Sequence, residues 1–281
     1  MRTHLVTGAN SGIGLEAVRA LAGRGERVIM AVRDVQRGEA AKARVLAEFP
    51  SAHLEVERVD LLELDSVRAL AERIASLDVL INNAGLGTAP LSLTKERVYS
   101  QFGANHLGHF LLTALQLPKL EHGSDPRVVT VSSGFGKRGK LDLTNLDGAR
   151  GYGQGRAYMQ SKLANALFGA ELDRRLRSRG SKVKSIVVHP GVAATEMQKK
   201  PTGFMGVVSR LVHALASTPQ RGARPTVDAA LSEVESGQVL GPGKGDGPAK
   251  HEETWPSMKD ASGAAALWAR SEELASVRFL S

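Results

Sequence analysis

The 281 residues contain no cysteine. Disulfides, thiolate metal sites and cysteine nucleophiles are thereby excluded, no metal is expected, and a cytoplasmic location fits the composition. Long apolar runs are missing too. The most apolar stretches, near Phe110–Leu117 and Phe204–Ala216, are interrupted by histidine, arginine or serine. Neither reaches the roughly 18–20 apolar residues that a membrane span requires. At the N-terminus, Leu5 and Val6 lead straight into Gly8, which leaves no room for a signal peptide. The expectation is a soluble protein without a membrane anchor.

Hydrophobic residues make up 42% and charged residues 23%, the balance of a folded globular chain rather than a disordered one. The net charge is +8, yet basic residues lie scattered among acids, as in Glu171-Leu172-Asp173-Arg174-Arg175. Such mixing suits a solvated helix face better than a nucleic-acid surface, so no nucleic-acid partner is expected.

Short β-branched runs alternate with longer segments of helical spacing. The strand candidates are His4–Thr7, Arg27–Val32, Leu54–Val59, Val79–Ile81, Val128–Ser132 and Ser185–Val188, with a late one at Gly237–Leu240. Helix candidates lie at Gly12–Arg24, Gln36–Phe49, Leu64–Ser76, Lys95–Leu117, Ala157–Ser178 and Ala261–Leu274. Nearly continuous hydrophobicity marks strands buried on both faces. The alternation predicts one α/β domain: a Rossmann-type doubly wound parallel sheet of about seven strands with helices on both faces. Gly241–Pro256, rich in glycine and proline, reads as a surface loop. Pro190–Gln220 reads as a long insertion with an amphipathic piece at Phe204–Leu215.

The first strand runs into Thr7-Gly8-Ala9-Asn10-Ser11-Gly12-Ile13-Gly14 and then a helix. Backbone N–H groups and the positive helix end face an anion there, and glycine lets the chain approach a diphosphate closely. Gly8, Asn10, Ser11, Gly12, Ile13 and Gly14 are therefore candidate cofactor contacts. Where NAD-binding folds usually carry an acid at the second strand's end, this chain has Val32 followed by Arg33. A guanidinium suits a 2′-phosphate, which favours NADP(H). The alternative is a surface Arg33 paired with Asp34. The third and fourth strands end in Asp60-Leu61 and Asn82-Asn83-Ala84-Gly85, on the same sheet edge.

Acid–base groups cluster later. The fifth strand closes with Ser132-Ser133, a helix opens with Tyr158-Met159-Gln160-Ser161-Lys162, and another carries Asn105. Tyr158 and Lys162, four apart, share a helix face. A nearby ammonium favours a phenolate, which would bring tyrosine toward neutral pH.

Together these residues resemble the short-chain dehydrogenase/reductase family over nearly the whole chain. The Thr7–Gly14 loop, Asn82–Gly85, Ser133, Tyr158, Lys162 and His189-Pro190-Gly191 with Thr195 occur in that family's order. Asn105-His106-Leu107-Gly108-His109-Phe110 and Leu267-Trp268-Ala269-Arg270-Ser271-Glu272-Glu273-Leu274 look most like its retinol-dehydrogenase-like branch. The resemblance implies Tyr158 as acid/base, Lys162 as pKa depressor and ribose ligand, Ser133 as carbonyl orienter and Asn105 as organiser of a relay water. It further implies cofactor contacts at Asp60, Leu61, Asn82, Ala84, Gly85, Tyr158, Lys162, Pro190, Gly191, Val192 and Thr195. Residues 1–150 would hold mainly the cofactor, 190–220 would cover the substrate, and 241–281 would form a C-terminal loop and helix.

Two features of similar proteins have no counterpart here: the anchoring segment typical of vertebrate retinol dehydrogenases, and the substrate-side cysteine of light-dependent protochlorophyllide reductases. Neither substrate is carried over. The expectation is an NADP(H)-dependent oxidoreductase acting on a small-molecule alcohol or carbonyl compound, apolar or bulky. The alternative is a non-catalytic NADP(H) sensor. Met197, Phe204, Met205, Val207, Leu211 and Leu215 either line a greasy lid or pack an amphipathic helix on the core. A homodimer or homotetramer through the long Ala157–Ser178 helix is one expectation. The other gives that apolar face wholly to the sheet core.

Overall fold

Residues 1–191, 218–245 and 247–280 are described by the computed structural model. Eight strands form one sheet: β1 (Thr3–Thr7), β2 (Arg27–Val32), β3 (Leu54–Arg58), β4 (Val79–Asn82), β5 (Arg127–Val131), β6 (Lys184–Val188), β7 (Val239–Gly241) and β8 (Lys250–Glu252). Their order is β3-β2-β1-β4-β5-β6-β7-β8. All pairings are parallel except β7 with β8. Among the described residues the α-helices are α1 (Gly12–Ala22), α2 (Val35–Glu48), α3 (Leu64–Arg73), α4 (Ser100–Phe102), α5 (Gly108–Leu120), α6 (Gln154–Ser178), α7 (Pro219–Leu231) and α8 (Ala261–Ala275).

The strands alternate their side chains between two cores, as the two-residue period of a strand requires. Leu5, Ile29, Leu80 and Val128 face α3, α5, α6 and α8, whereas Val6, Met30, Ile81 and Val129 face α1, α2 and α7. The chain lays β2 and β3 to one side of β1, then returns to place β4 on the other side. At such a reversal the connections diverge and leave a crevice beyond the carboxyl ends of the strands. Thr7 and Asn82 stand at this crevice.

Three expectations need correction. The Gly241–Pro256 stretch contains strand β8, which makes eight strands rather than about seven. Its own sequence is weakly strand-forming, and pairing of Val239, Leu240 and Gly241 with Glu252, His251 and Lys250 supplies the order. Helix α7 has no counterpart among the expected elements, and its first two residues fall within the expected Pro190–Gln220 insertion. Pro219 sits in the first turn, where its missing N–H costs nothing, and Thr218 accepts a hydrogen bond from the Arg221 amide. The Lys95–Leu117 helix starts only at Ser100 and changes its winding along an unbroken run. It comprises α4, a π-helical segment Gly103–Leu107, and α5, which runs on to Leu120. Among the described residues, no helix is long and apolar enough to cross a membrane.

Candidate active site

Gly8 and Gly12 adopt left-handed backbone conformations, with φ of 67° and 54°. Gly14 needs glycine for a different reason: a Cβ there would lie 2.3 Å from the Gly8 carbonyl oxygen. Helix α1 begins after Ser11, whose side chain makes no capping bond, and its first turn holds no acid. The leading N–H groups thus face the crevice without a side-chain acceptor, the arrangement that receives a phosphate.

The Arg33–Asp34 pairing is not what the structure shows. Asp34 accepts the Arg37 amide at 3.1 Å and caps α2, while Arg33 is exposed. Beside it, Asn10, Ser11, Gly12, Leu15, Arg37, Ala40 and Arg44 line a cleft of about 320 Å³. The sequence reading missed Arg37 and Arg44. Their seven-residue spacing, which places both on one face of α2, was the available signal. Asp60 accepts the Leu62 amide at 3.0 Å, and Leu61 is buried with its backbone against Gly108.

At the end of β4, the Asn82 side chain turns inward and donates to the Thr113 hydroxyl at 3.0 Å. It therefore does not face the crevice. The Thr7 hydroxyl accepts the Asn83 and Ala84 amides, each at 3.0 Å, and Asn83 Nδ2 donates to the Thr7 carbonyl at 2.7 Å. These bonds lock the glycine loop to the Asn82–Gly85 turn. A Cβ on Gly85 would stand 3.3 Å from both Asn105 Oδ1 and Lys162 Nζ, so the missing side chain leaves room between them.

Asn105 is fully buried in the π-helical segment. Its Oδ1 accepts the Leu86 amide at 2.6 Å, and its Nδ2 donates to the Leu86 carbonyl at 3.0 Å and to Ser161 Oγ at 2.9 Å. Ser161 in turn donates to the Tyr158 carbonyl at 2.8 Å, which ties Asn105 to the first turns of α6. The part played by Ser161 was also missed.

Ser132 donates to the Lys162 carbonyl at 2.6 Å and is spoken for, whereas Ser133 Oγ accepts the Phe135 amide at 3.3 Å and lies near enough to the Tyr158 phenol to influence its ionisation. Burial raises the Tyr158 pKa above its ordinary value, and the Ser133 bond opposes that shift. Lys162 Nζ donates to the Val131 carbonyl at 3.1 Å, and burial pushes its pKa down to about 8. The expected lowering of Tyr158 by Lys162 is not among the influences on the phenol here.

At the end of β6, Gly191 has φ of 68° and donates its amide to His189 Nδ1 at 3.3 Å. Pro190 precedes it and Pro242 packs beside it. Val192, Thr195 and the lid candidates Met197, Phe204, Met205, Val207, Leu211 and Leu215 lie outside the described residues. The crevice fits a nicotinamide dinucleotide. It offers a glycine cradle and bare helix amides for a diphosphate, arginines at one end, and a tyrosine–lysine–serine group at the other.

Residues 2–203 match the short chain dehydrogenase family. Human retinol dehydrogenase 12 is 38% identical over 281 residues, covering 98% of this chain and 86% of that protein. Human retinol dehydrogenase 11 is 42% identical over 233 residues, covering 82% and 72%. Among solved structures, an uncharacterized protein from Mycobacterium paratuberculosis superposes with a TM-score of 0.82 at 41% identity, covering 99% of this chain and 95% of its own. Salutaridine reductase from Papaver somniferum shares the fold, with a TM-score of 0.66 at 21% identity, covering 85% and 99%. A crevice shaped for a dinucleotide and this likeness along nearly the full length agree: the chain belongs to the short-chain dehydrogenase/reductase family, in its retinol-dehydrogenase-like branch, and is a nicotinamide-dependent oxidoreductase.

Proposed function

We propose that this chain is an NADP(H)-dependent alcohol dehydrogenase or carbonyl reductase for apolar or bulky small molecules, working in the cytoplasm. The observation that carries the reading is the gathering of Asn105 and Lys162 about Gly85, with Asn105 tied through Ser161 to the helical turn that bears Tyr158 and Ser133 close to the phenol. The cofactor supplies or accepts the hydride. Tyr158 gives the proton to the carbonyl oxygen in reduction and removes it from the hydroxyl in oxidation. Ser133 would orient that oxygen, Lys162 would hold the nicotinamide ribose, and Asn105 would order the relay water.

Preference for the phosphorylated cofactor rests on the basic surroundings of the adenosine end. Val32 replaces the customary acid, Arg33 is exposed next to it, and Arg37 and Arg44 line the cleft beside Asn10 and Ser11. Arginine forks match phosphate oxygens in pairs. Retinol is the alcohol in the names of the relatives, and an apolar alcohol or aldehyde of that kind is the substrate class we assign.

Titration with NADPH and NADH, followed by fluorescence and thermal protection, tests the cofactor. Arg33→Ala and Arg37→Ala should each raise the NADPH Kd about tenfold while leaving NADH within about twofold. Tyr158→Phe should lower kcat by about 10²–10⁴-fold with cofactor affinity unchanged. Full turnover in that variant would overturn the mechanism.

A further inference from the structure

His109 lies in the first turn of α5 with 2% of its surface exposed, and no step of the proposed chemistry uses it. Its ring bridges two parts of the site. Nδ1 is 2.9 Å from the Asn105 carbonyl oxygen, and Nε2 is 2.8 Å from the Thr7 hydroxyl. A carbonyl oxygen can only accept, so Nδ1 carries the proton. A neutral ring then leaves Nε2 bare, and the Thr7 hydroxyl donates to it. The alternative acceptor for that hydroxyl, the Ile81 carbonyl, is more distant at 3.3 Å. The Thr7 oxygen meanwhile accepts the Asn83 and Ala84 amides. A second proton on the ring would bring a third donor against that oxygen. Burial and the nearby Lys162 charge also resist it, and hold the ring's pKa at about 4.

The turn after β4 is thus gripped at both ends. Thr7 holds the Asn83 and Ala84 amides, and the Asn105 side chain holds the amide and carbonyl of Leu86. Gly85, whose missing side chain lets Asn105 and Lys162 approach closely, lies between the two grips. Among the described residues, His109 is the one side chain bonded to both Thr7 and Asn105, and its own carbonyl is tied back to β4 through Thr113 and Asn82.

We propose that His109 is a positioning residue, a neutral strut that sets the cofactor loop at Thr7 and the Asn83–Leu86 turn in fixed relation to Asn105. This rests on the oxidoreductase reading above. It predicts that the two ring nitrogens have separable consequences: the Thr7 bond governs cofactor affinity, and the Asn105 bond governs turnover.

Imidazole ¹⁵N chemical shifts of the cofactor-free protein, with the His109 signals identified by their loss in His109→Asn, read the tautomer directly. The expected result is the neutral Nδ1–H form throughout pH 6–8; an Nε2–H form or a charged ring in that range would overturn the proposal. Asparagine retains a donor at the Nδ1 position and glutamine an acceptor at the Nε2 position. His109→Asn should therefore raise the NADPH Kd about tenfold with kcat within about threefold. His109→Gln should lower kcat about tenfold with Kd within about twofold. Variants that shift only the Tm, or that alter Kd and kcat together by equal factors, would reduce His109 to a packing residue and overturn the strut. The tautomer and the Kd do not depend on turnover, so failure of the strut is distinguishable from failure of the catalytic assignment, which Tyr158→Phe reads by itself.

Discussion

Lys162 and Tyr158 sit on one helix face, and burial shifts both, in opposite directions, because it disfavours the charged form of each. The phenol, protonated at neutral pH even at its ordinary pKa, is held protonated further into the alkaline range by burial, and a protonated phenol suits carbonyl reduction. Oxidation needs the phenolate, so its rate should climb with pH across the neutral and alkaline range. Lys162 loses its ammonium as pH rises through about 8. For reduction, kcat/KM, which reports the free enzyme, should therefore be level below that value and fall above it. Lys162→Gln should abolish this inflection as well as lower the rate; an unchanged alkaline limb would assign the limb to another group. The identities of these residues were legible from their order and spacing. Their partners were not. Nothing in the sequence assigned Ser132 to the Lys162 carbonyl, Ser161 to Asn105 or Asn82 to Thr113, because hydrogen bonds between distant segments depend on packing.

Among the elements, α8 has an unexpected amount to do. Trp268, 1% exposed, meets Phe110, Phe168 and Phe279 with ring centroids 5.1, 5.8 and 4.6 Å away. The Arg175 guanidinium lies 4.4 Å above its ring. Removing so large a buried ring leaves a cavity as well as losing transfer free energy. Trp268→Ala should cost about 3–5 kcal/mol, measured by urea denaturation. A loss below about 1 kcal/mol would show that this helix is peripheral to the fold. The helix itself was readable from its spacing, as were the first seven strands from their β-branched runs. Strand β8 and helix α7 were not. Three residues of Lys-His-Glu carry no strand signal until β7 lies beside them, and two prolines conceal a helix whose buried face is defined only by α1 and the sheet.

Across the whole molecule, α8 decides which surface is left open. The apolar positions of α6, including Leu167, Phe168, Leu172 and Leu176, share one core with Leu267 and Trp268 of α8 and with Phe279 of the tail. The face considered for self-association is occupied by the chain's own C-terminal segment. The exposed large apolar residues among those described are few: Met1, Val35, Leu91, Leu93 and Phe135. Among the described residues these form no broad apolar patch, so that part of the surface offers little to drive association. Light scattering after size exclusion should give a mass near 29.9 kDa. A dimer mass would show that another surface supports assembly.

The sequence by itself determined the α/β alternation, the family, the glycine loop and the identities of the serine, tyrosine, lysine and asparagine at the crevice. Local signals suffice for these, because glycine turns, strand hydrophobicity and helix spacing act over a few residues. The tertiary structure alone decided that Arg37 and Arg44 line a cleft with Asn10 and Ser11, that His109 joins Thr7 to Asn105, and that α8 covers α6. Each of these unites segments far apart in the chain, and the contacts exist only once the sheet order has brought the segments together.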